Sequence, residues 1–120
     1  MPVVVDASAI GAIAFGESQG PMLAAHLEGE TLLAPALFDF ELMNIALKKA
    51  KRHPESAAEI LVNLEAALSL PVSRLPVSGP EVMILAAETG LTTYDASYLW
   101  LARSRDAELV TLDAALSRRP

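Results

Sequence analysis

Four carboxylates stand out in the 120-residue chain by their neighbours: Asp6, Glu41, Asp95 and Asp113. Asp6 closes the run Val3-Val4-Val5, and Asp113 closes Leu109-Val110-Thr111-Leu112. Each run reads as a short buried strand with an acid at its C-terminal end, and ligands bind at that edge of open parallel sheets. Glu41 falls six residues after Pro35, early in a helical stretch, and Asp95 falls in the first turn of another. Helix starts carry partial positive charge and can point an acid at the same edge. Acids brought together there repel, and at least one holds a proton unless a cation sits between them. Mg²⁺ and Mn²⁺ prefer carboxylate and water oxygens, and Mg²⁺ keeps several waters that a substrate phosphate can replace. Such a site makes a nucleophile from water and supports in-line displacement at phosphorus. Nothing points to zinc: there is no cysteine, and the two histidines, His26 and His53, stand apart.

Each acid also has an ordinary structural reading. Thr92-x-x-Asp95 fits a capping box, Asp113 fits an N-cap for the last helix, and Glu41 fits a solvated helix acid. Asp6 resists this reading, because an acid ending a Val-Val-Val strand is costly to bury unless it is paired or metal-bound. Lys48, Lys49, Lys51 and Arg52 form a dense basic cluster. They could hold nucleic-acid phosphates, or simply favour the negative C-terminal end of their helix. Arg103 and Arg105 carry the same two readings. Tyr94, Tyr98 and Trp100 share one helix, where core or subunit packing is the first reading and base stacking the second.

The elements that must position these residues follow from periodicity and punctuation. The reading is a strand at Val3–Val5, a helix at 8–15, a turn at 16–21, a helix at 22–28 and a strand at 31–34. A long helix at 37–52 has Leu37, Phe40, Met43 (or Asn44) and Leu47 as its apolar stripe. A further helix at 54–70 uses Ala57, Ile60, Leu61, Leu64 and Leu68. A proline-punctuated connector holds a short strand at 72–77, and a helix at 81–88 is capped by Gly90. A helix from about 92 to 105, a strand at 109–112 and a short final helix complete the chain. Strands alternating with helices predict an α/β layer around a mostly parallel sheet.

Composition is consistent with one such domain. Hydrophobic residues make up 52% and charged residues 20%, while aromatics are only 5%, so the core should be aliphatic. The apolar excess also suits a partner surface. The net charge of −6 argues against nucleic acid, but with the four acids set aside as metal ligands the rest of the chain carries only −2, and a metal-loaded pocket reverses the local field. The start lacks the basic region of a signal peptide, and no run approaches the length of a membrane span. A soluble, cytoplasmic protein is the expectation.

Four blocks resemble a known family, in family order and across nearly the whole chain. They are Val4-Val5-Asp6-Ala7-Ser8-Ala9, Pro35-x5-Glu41-x2-Asn44, Leu91-Thr92-x-Tyr94-Asp95-Ala96-x-Tyr98-Leu99, and Leu109-Val110-Thr111-Leu112-Asp113. The chain resembles the PIN-domain nucleases and, among them, the VapC-type toxins of bacterial toxin–antitoxin pairs. The resemblance implies a PIN-like domain over residues 1–120, with four to five short strands flanked by helices. It implies a Mg²⁺-dependent endoribonuclease (Mn²⁺ being the other candidate), restrained by a cognate antitoxin and forming a homodimer. Asp6, Glu41, Asp95 and Asp113 fall on the family's acidic positions and Ser8 and Thr111 on hydroxyl positions beside them. Asn44 looks like a supporting polar residue, or a helix-surface amide. Family members usually run past the last acidic block into a further strand and tail, whereas this sequence stops at Ser117-Arg118-Arg119-Pro120.

Two other readings are weighed. A phospho-acceptor receiver domain would need a second acid beside the first and a lysine after a late strand. Asp6 is flanked by Val5 and Ala7, and no lysine follows Lys51. A non-catalytic binding module on the same fold would show a missing acid, and all four are present.

Overall fold

A computed structural model describes residues 1–118; Arg119 and Pro120 lie outside the described residues. The β-branched run at the start forms strand β1 (Pro2–Val5), whose three valines are buried. Helices α1 (Ala7–Ala14) and α2 (Gly20–Leu27) lead to β2 (Thr31–Pro35). Next come α3 (Phe38–Arg52), a 3₁₀ turn at Pro54–Ser56 and α4 (Ala57–Leu68). Strand β3 (Val72–Leu75), α5 (Gly79–Thr89), α6 (Thr93–Ser104), β4 (Glu108–Val110) and α7 (Ala114–Ser117) follow. Gly90 ends α5 in the left-handed conformation, φ 76°, as a C-terminal glycine should.

The four strands form one all-parallel sheet in the order β3-β2-β1-β4. From β1 the chain steps outward through β2 to β3, then returns across the sheet to place β4 on the other side of β1. The order therefore reverses between β1 and β4, and ligands bind at such a reversal, outside the carboxyl ends of the strands. Right-handed crossovers put the helices of the outward steps on one face and those of the return on the other. The packing agrees: α1 lies against α2, α3 and α4, while α6 pairs with α5 and covers β1 and β2.

Three expected boundaries shift for physical reasons. The helix expected at 54–70 begins only at Ala57, because Pro54 opens a 3₁₀ turn instead. The strand expected at 72–77 stops at Leu75, ahead of Pro76. The strand expected at 109–112 stops at Val110, because the next amides leave the ladder for side chains. Leu112 N donates to Ser8 Oγ (3.0 Å) and Asp113 N donates to Thr111 Oγ1 (3.0 Å).

The apolar stripe expected on α3 is the wrong face. Phe38, Leu42 and Ala46 are buried, with Ile45 packed beside them, while Phe40, Met43 and Leu47 face solvent. Gly11 of α1 explains the choice: a Cβ there would stand 3.3 Å from Ile45, so α1 docks tightly on that side. On α4, Leu61 is likewise exposed; Ala67 is buried, and Leu64 and Leu68 pack against the core.

Gly20 marks another close approach, since a Cβ there would lie 2.7 Å from the Ala12 carbonyl oxygen. Backbone cannot yield as a flexible side chain can. Gly20→Ala is expected to destabilise the fold by about 1–3 kcal/mol, read as a lower urea midpoint at unchanged slope.

Candidate active site

Asp6 caps β1 at the strand reversal and is only 6% exposed. Its backbone N–H donates to Val110 O (3.0 Å), which ties the ends of β1 and β4 together. Two hydroxyls hold its side chain: Thr111 Oγ1 at 2.6 Å and Ser8 Oγ at 3.0 Å, both on Oδ2. The shorter distance is that of a charge-assisted O–H···O⁻ bond. Ser8 and Thr111 thus stand where the sequence placed them. Asp6, Ala7, Ser8, Glu41, Asn44, Ile45, Asp95, Leu112 and Asp113 line one pocket of about 280 Å³.

Glu41 enters from the first turns of α3 and is half-buried. The Tyr98 hydroxyl donates to its Oε1 at 2.5 Å. Tyr98 is fully buried, so its ring cannot swing away. Burial and the neighbouring carboxylate hold the Tyr98 phenol protonated, well above its ordinary range. Position-by-position reading of the sequence missed this support; the only signal was the place of Tyr98 in the third block, three residues after Asp95.

Asp95 and Asp113 keep part of their structural roles. Thr92 Oγ1 accepts from Asp95 N (3.1 Å), which is the threonine half of a capping box. Asp113 is the N-cap of α7, its Oδ1 accepting from Leu116 N (2.9 Å). Both carboxylates nevertheless line the pocket. A capping role and a place on the pocket wall therefore coexist in both residues. In Asp6 and Glu41 the side-chain hydrogen bonds among the described residues fall on Oδ2 and Oε1 respectively.

Electrostatics identify a site short of positive charge. Glu41 is held above the usual carboxylate range by burial first and by the charges of Asp6 and Asp95, against the pull of the Tyr98 hydrogen bond. Asp95 is raised by burial and then by the charges of Asp113 and Asp6. The ion pairs of the described residues include none of the four acids. Among the described residues no three of His, Cys, Asp or Glu are drawn into a ready-made metal cage. The all-oxygen donor set in a wider pocket fits a cation that retains water between itself and some of its ligands, as Mg²⁺ does. All four acids could hold it, directly or through water.

The raised values carry a sign. A group whose folded pKa lies above its unfolded one stabilises the fold below the unfolded pKa, and this contribution is lost as pH rises through the folded pKa. Glu41 and Asp95 therefore cost the metal-free protein stability once pH has risen through their raised pKa values. Its melting temperature should therefore rise as pH falls from neutrality toward the ordinary carboxylate range, less so in Asp95→Asn; a wild-type profile that never rises on the way down would contradict the repulsion.

The remaining candidates lie elsewhere. His26 is not isolated: its Nε2 stands 3.0 Å from both Glu108 carboxylate oxygens, tying α2 to the start of β4. His53 lies 3.6 Å from Glu55. In the basic cluster Lys49 pairs with Glu17, while Lys48, Lys51 and Arg52 are exposed beyond it. Trp100 Nε1 donates to Glu81 (3.1 Å) in a depression between α5 and α6 that shares no residue with the acid pocket.

The sequence pattern of the PIN domain matches residues 3–120. The chain belongs to the PIN domain family. It is 36% identical to ribonuclease VapC9 of Mycobacterium tuberculosis over 96% of this chain and 88% of that protein. It is 33% identical to ribonuclease VapC12 of the same organism, over 97% and 90%. Among solved structures it is similar to PAE2754 from Pyrobaculum aerophilum, with a TM-score of 0.75 and 34% identity over 97% of this chain and 85% of that one. Within the PIN domain family these relatives place the chain with the VapC type, as its four sequence blocks imply. The observed fold, an all-parallel sheet of four strands flanked by helices, is within the expected range of four to five.

Proposed function

We propose that this chain is a divalent-metal-dependent endoribonuclease of the VapC type, a single nuclease domain over residues 1–120. The observation that carries the proposal is the gathering of Asp6, Glu41, Asp95 and Asp113 on one pocket, with no ion pair to any of them among the described residues. Relatives of this length and identity that are named ribonucleases support RNA as the substrate. Asp6, Glu41, Asp95 and Asp113 would hold Mg²⁺, with Mn²⁺ as the substitute. When bound, the cation supplies a nucleophile from water and neutralises charge developing at phosphorus. Ser8 and Thr111 orient Asp6, Tyr98 orients Glu41, and the α7 amide of Leu116 orients Asp113. Asn44, exposed at the pocket rim, offers an amide to substrate.

The proposal extends to the toxin half of a type II toxin–antitoxin pair, acting in the cytoplasm as a homodimer that a cognate antitoxin restrains. Exposed Leu47, Leu61 and Val62 on α3 and α4 are apolar surface that protein contacts would cover. No helix of the described residues is long and apolar enough to cross a membrane.

Purified protein should cut single-stranded RNA in Mg²⁺, stop on addition of EDTA, and recover with excess Mg²⁺ or Mn²⁺. Cleavage that persists in EDTA would remove the metal from the mechanism. Calorimetric binding of Mg²⁺ without cleavage of any RNA would favour the non-catalytic binding module instead.

A further inference from the structure

A second groove, of about 440 Å³, opens beside the acid pocket and is lined by Leu37, Phe40, Glu41, Asn44 and Tyr94. It shares Glu41 and Asn44 with that pocket, so the two adjoin. The chain has six aromatic residues. Phe38 and Tyr98 are fully buried and Phe15 and Trp100 partly so, whereas Phe40 is 72% and Tyr94 64% exposed. The two most exposed rings of an aromatic-poor protein thus line the same groove.

Local sequence accounts for the arrangement. Phe40 directly precedes Glu41 near the start of α3, and Tyr94 directly precedes Asp95 near the start of α6. Successive helical side chains point about 100° apart. A helix start that sends its acid into the pocket therefore sets the preceding ring beside it, and this happens twice. Asn44 follows Glu41 by one turn, and its amide has no hydrogen bond to any described residue. An amide both donates and accepts, as the edge of a base requires.

We propose that Phe40 and Tyr94 form a nucleobase subsite that stacks an unpaired base of single-stranded RNA next to the phosphate held at the acids. The proposal deepens the nuclease reading above and rests on it. RNA recognition commonly splays single-stranded bases onto aromatic rings, and every base has a face to stack. With a net charge of −6, the protein has little general attraction for phosphates to rely on. A protein surface laid over the rings would also cover Glu41 and Asn44, which need water or a polar partner. A nucleotide brings a flat apolar face and a polar edge together.

The test uses Asp6→Asn protein in Mg²⁺, so that RNA is bound and not cut. The probe is a uridylate octamer carrying one 2-aminopurine, with the same octamer bearing an abasic site as its control. Binding should quench the aminopurine, and Phe40→Ala or Tyr94→Ala should each weaken affinity by about 5- to 100-fold. Tyr94→Phe should restore it, and the abasic probe should bind weakly to the parent without further loss in the alanine variants. Both rings are exposed, so the variants are expected to fold, which circular dichroism checks. Equal affinity in the alanine variants, or equal losses on the abasic probe, would overturn the subsite. So would a dimer that dissociates in Phe40→Ala by sedimentation while RNA affinity holds, since the groove would then cover a second copy. RNA that is neither bound by the parent nor cut by wild type would overturn the nuclease reading with it. RNA cut equally well by wild type and by Phe40→Ala/Tyr94→Ala would overturn the subsite alone.

Discussion

Asp6→Asn should lower RNA cleavage on the order of a thousandfold while leaving the protein folded. Asparagine matches aspartate in shape, and its one carbonyl can still accept the Ser8 and Thr111 hydroxyls that now converge on Oδ2. That orientation places the amide NH₂ where the second carboxylate oxygen stood. A donor then faces the position that a cation needs an oxygen to fill. Removing one charge also lessens the repulsion that raises Glu41 and Asp95, so the metal-free variant should melt no lower than wild type. Single-turnover cleavage, circular dichroism and thermal melting on one preparation check all three parts. Undiminished cleavage would remove Asp6 from the site, and a collapsed spectrum would reduce it to a structural residue.

Tyr98→Phe should weaken Mg²⁺ and Mn²⁺ binding by about 10- to 100-fold, the usual cost of losing a group that orients a metal ligand. The substitution removes one oxygen and keeps a fully buried ring in place, so packing is preserved. Glu41 loses the 2.5 Å bond that holds its Oε1 in place. It also loses the interaction that opposes its raised pKa. The sign follows: the Glu41 pKa climbs further, more of the carboxyl stays protonated at a given pH, and metal binding shifts to higher pH. Calorimetric Mn²⁺ titrations at several pH values separate this from a packing defect, which would lower stability without moving the pH midpoint. Affinity equal to wild type at every pH would deny Tyr98 its positioning role.

Much of the frame was legible before any coordinates. Three consecutive valines have no stable place except a strand covered on both faces, and Asp6 after them had to sit at the strand's end. The alternation of β-branched runs with helical periods required crossovers, and crossovers require parallel strands. The four blocks identified the family and named the acids together with Ser8 and Thr111. What local reading could not do was choose between meanings compatible with one pattern. Asp113 is both an N-cap and a pocket acid, and Asp95 both receives a cap and faces the pocket. The two meanings are not rivals, because a carboxylate has two oxygens.

The sequence alone determined the strand and helix alternation and the position of Asp6 at a strand end, while the proposed acidic set rested on the four-block resemblance. The first two are encoded over a few residues, in side-chain shape and in periods of two and 3.6. The tertiary structure alone decided which face of α3 is buried. That helix carries two apolar stripes, and its packing against α1, close at Gly11 and Ile45, and against α4 makes one of them the inside. It alone ended β4 at Val110, because Ser8, more than a hundred residues away, takes the Leu112 amide. It alone joined Tyr98 to Glu41 across 57 residues. Contacts of that separation depend on how the crossovers bring helix starts to one sheet edge, and no local period records them.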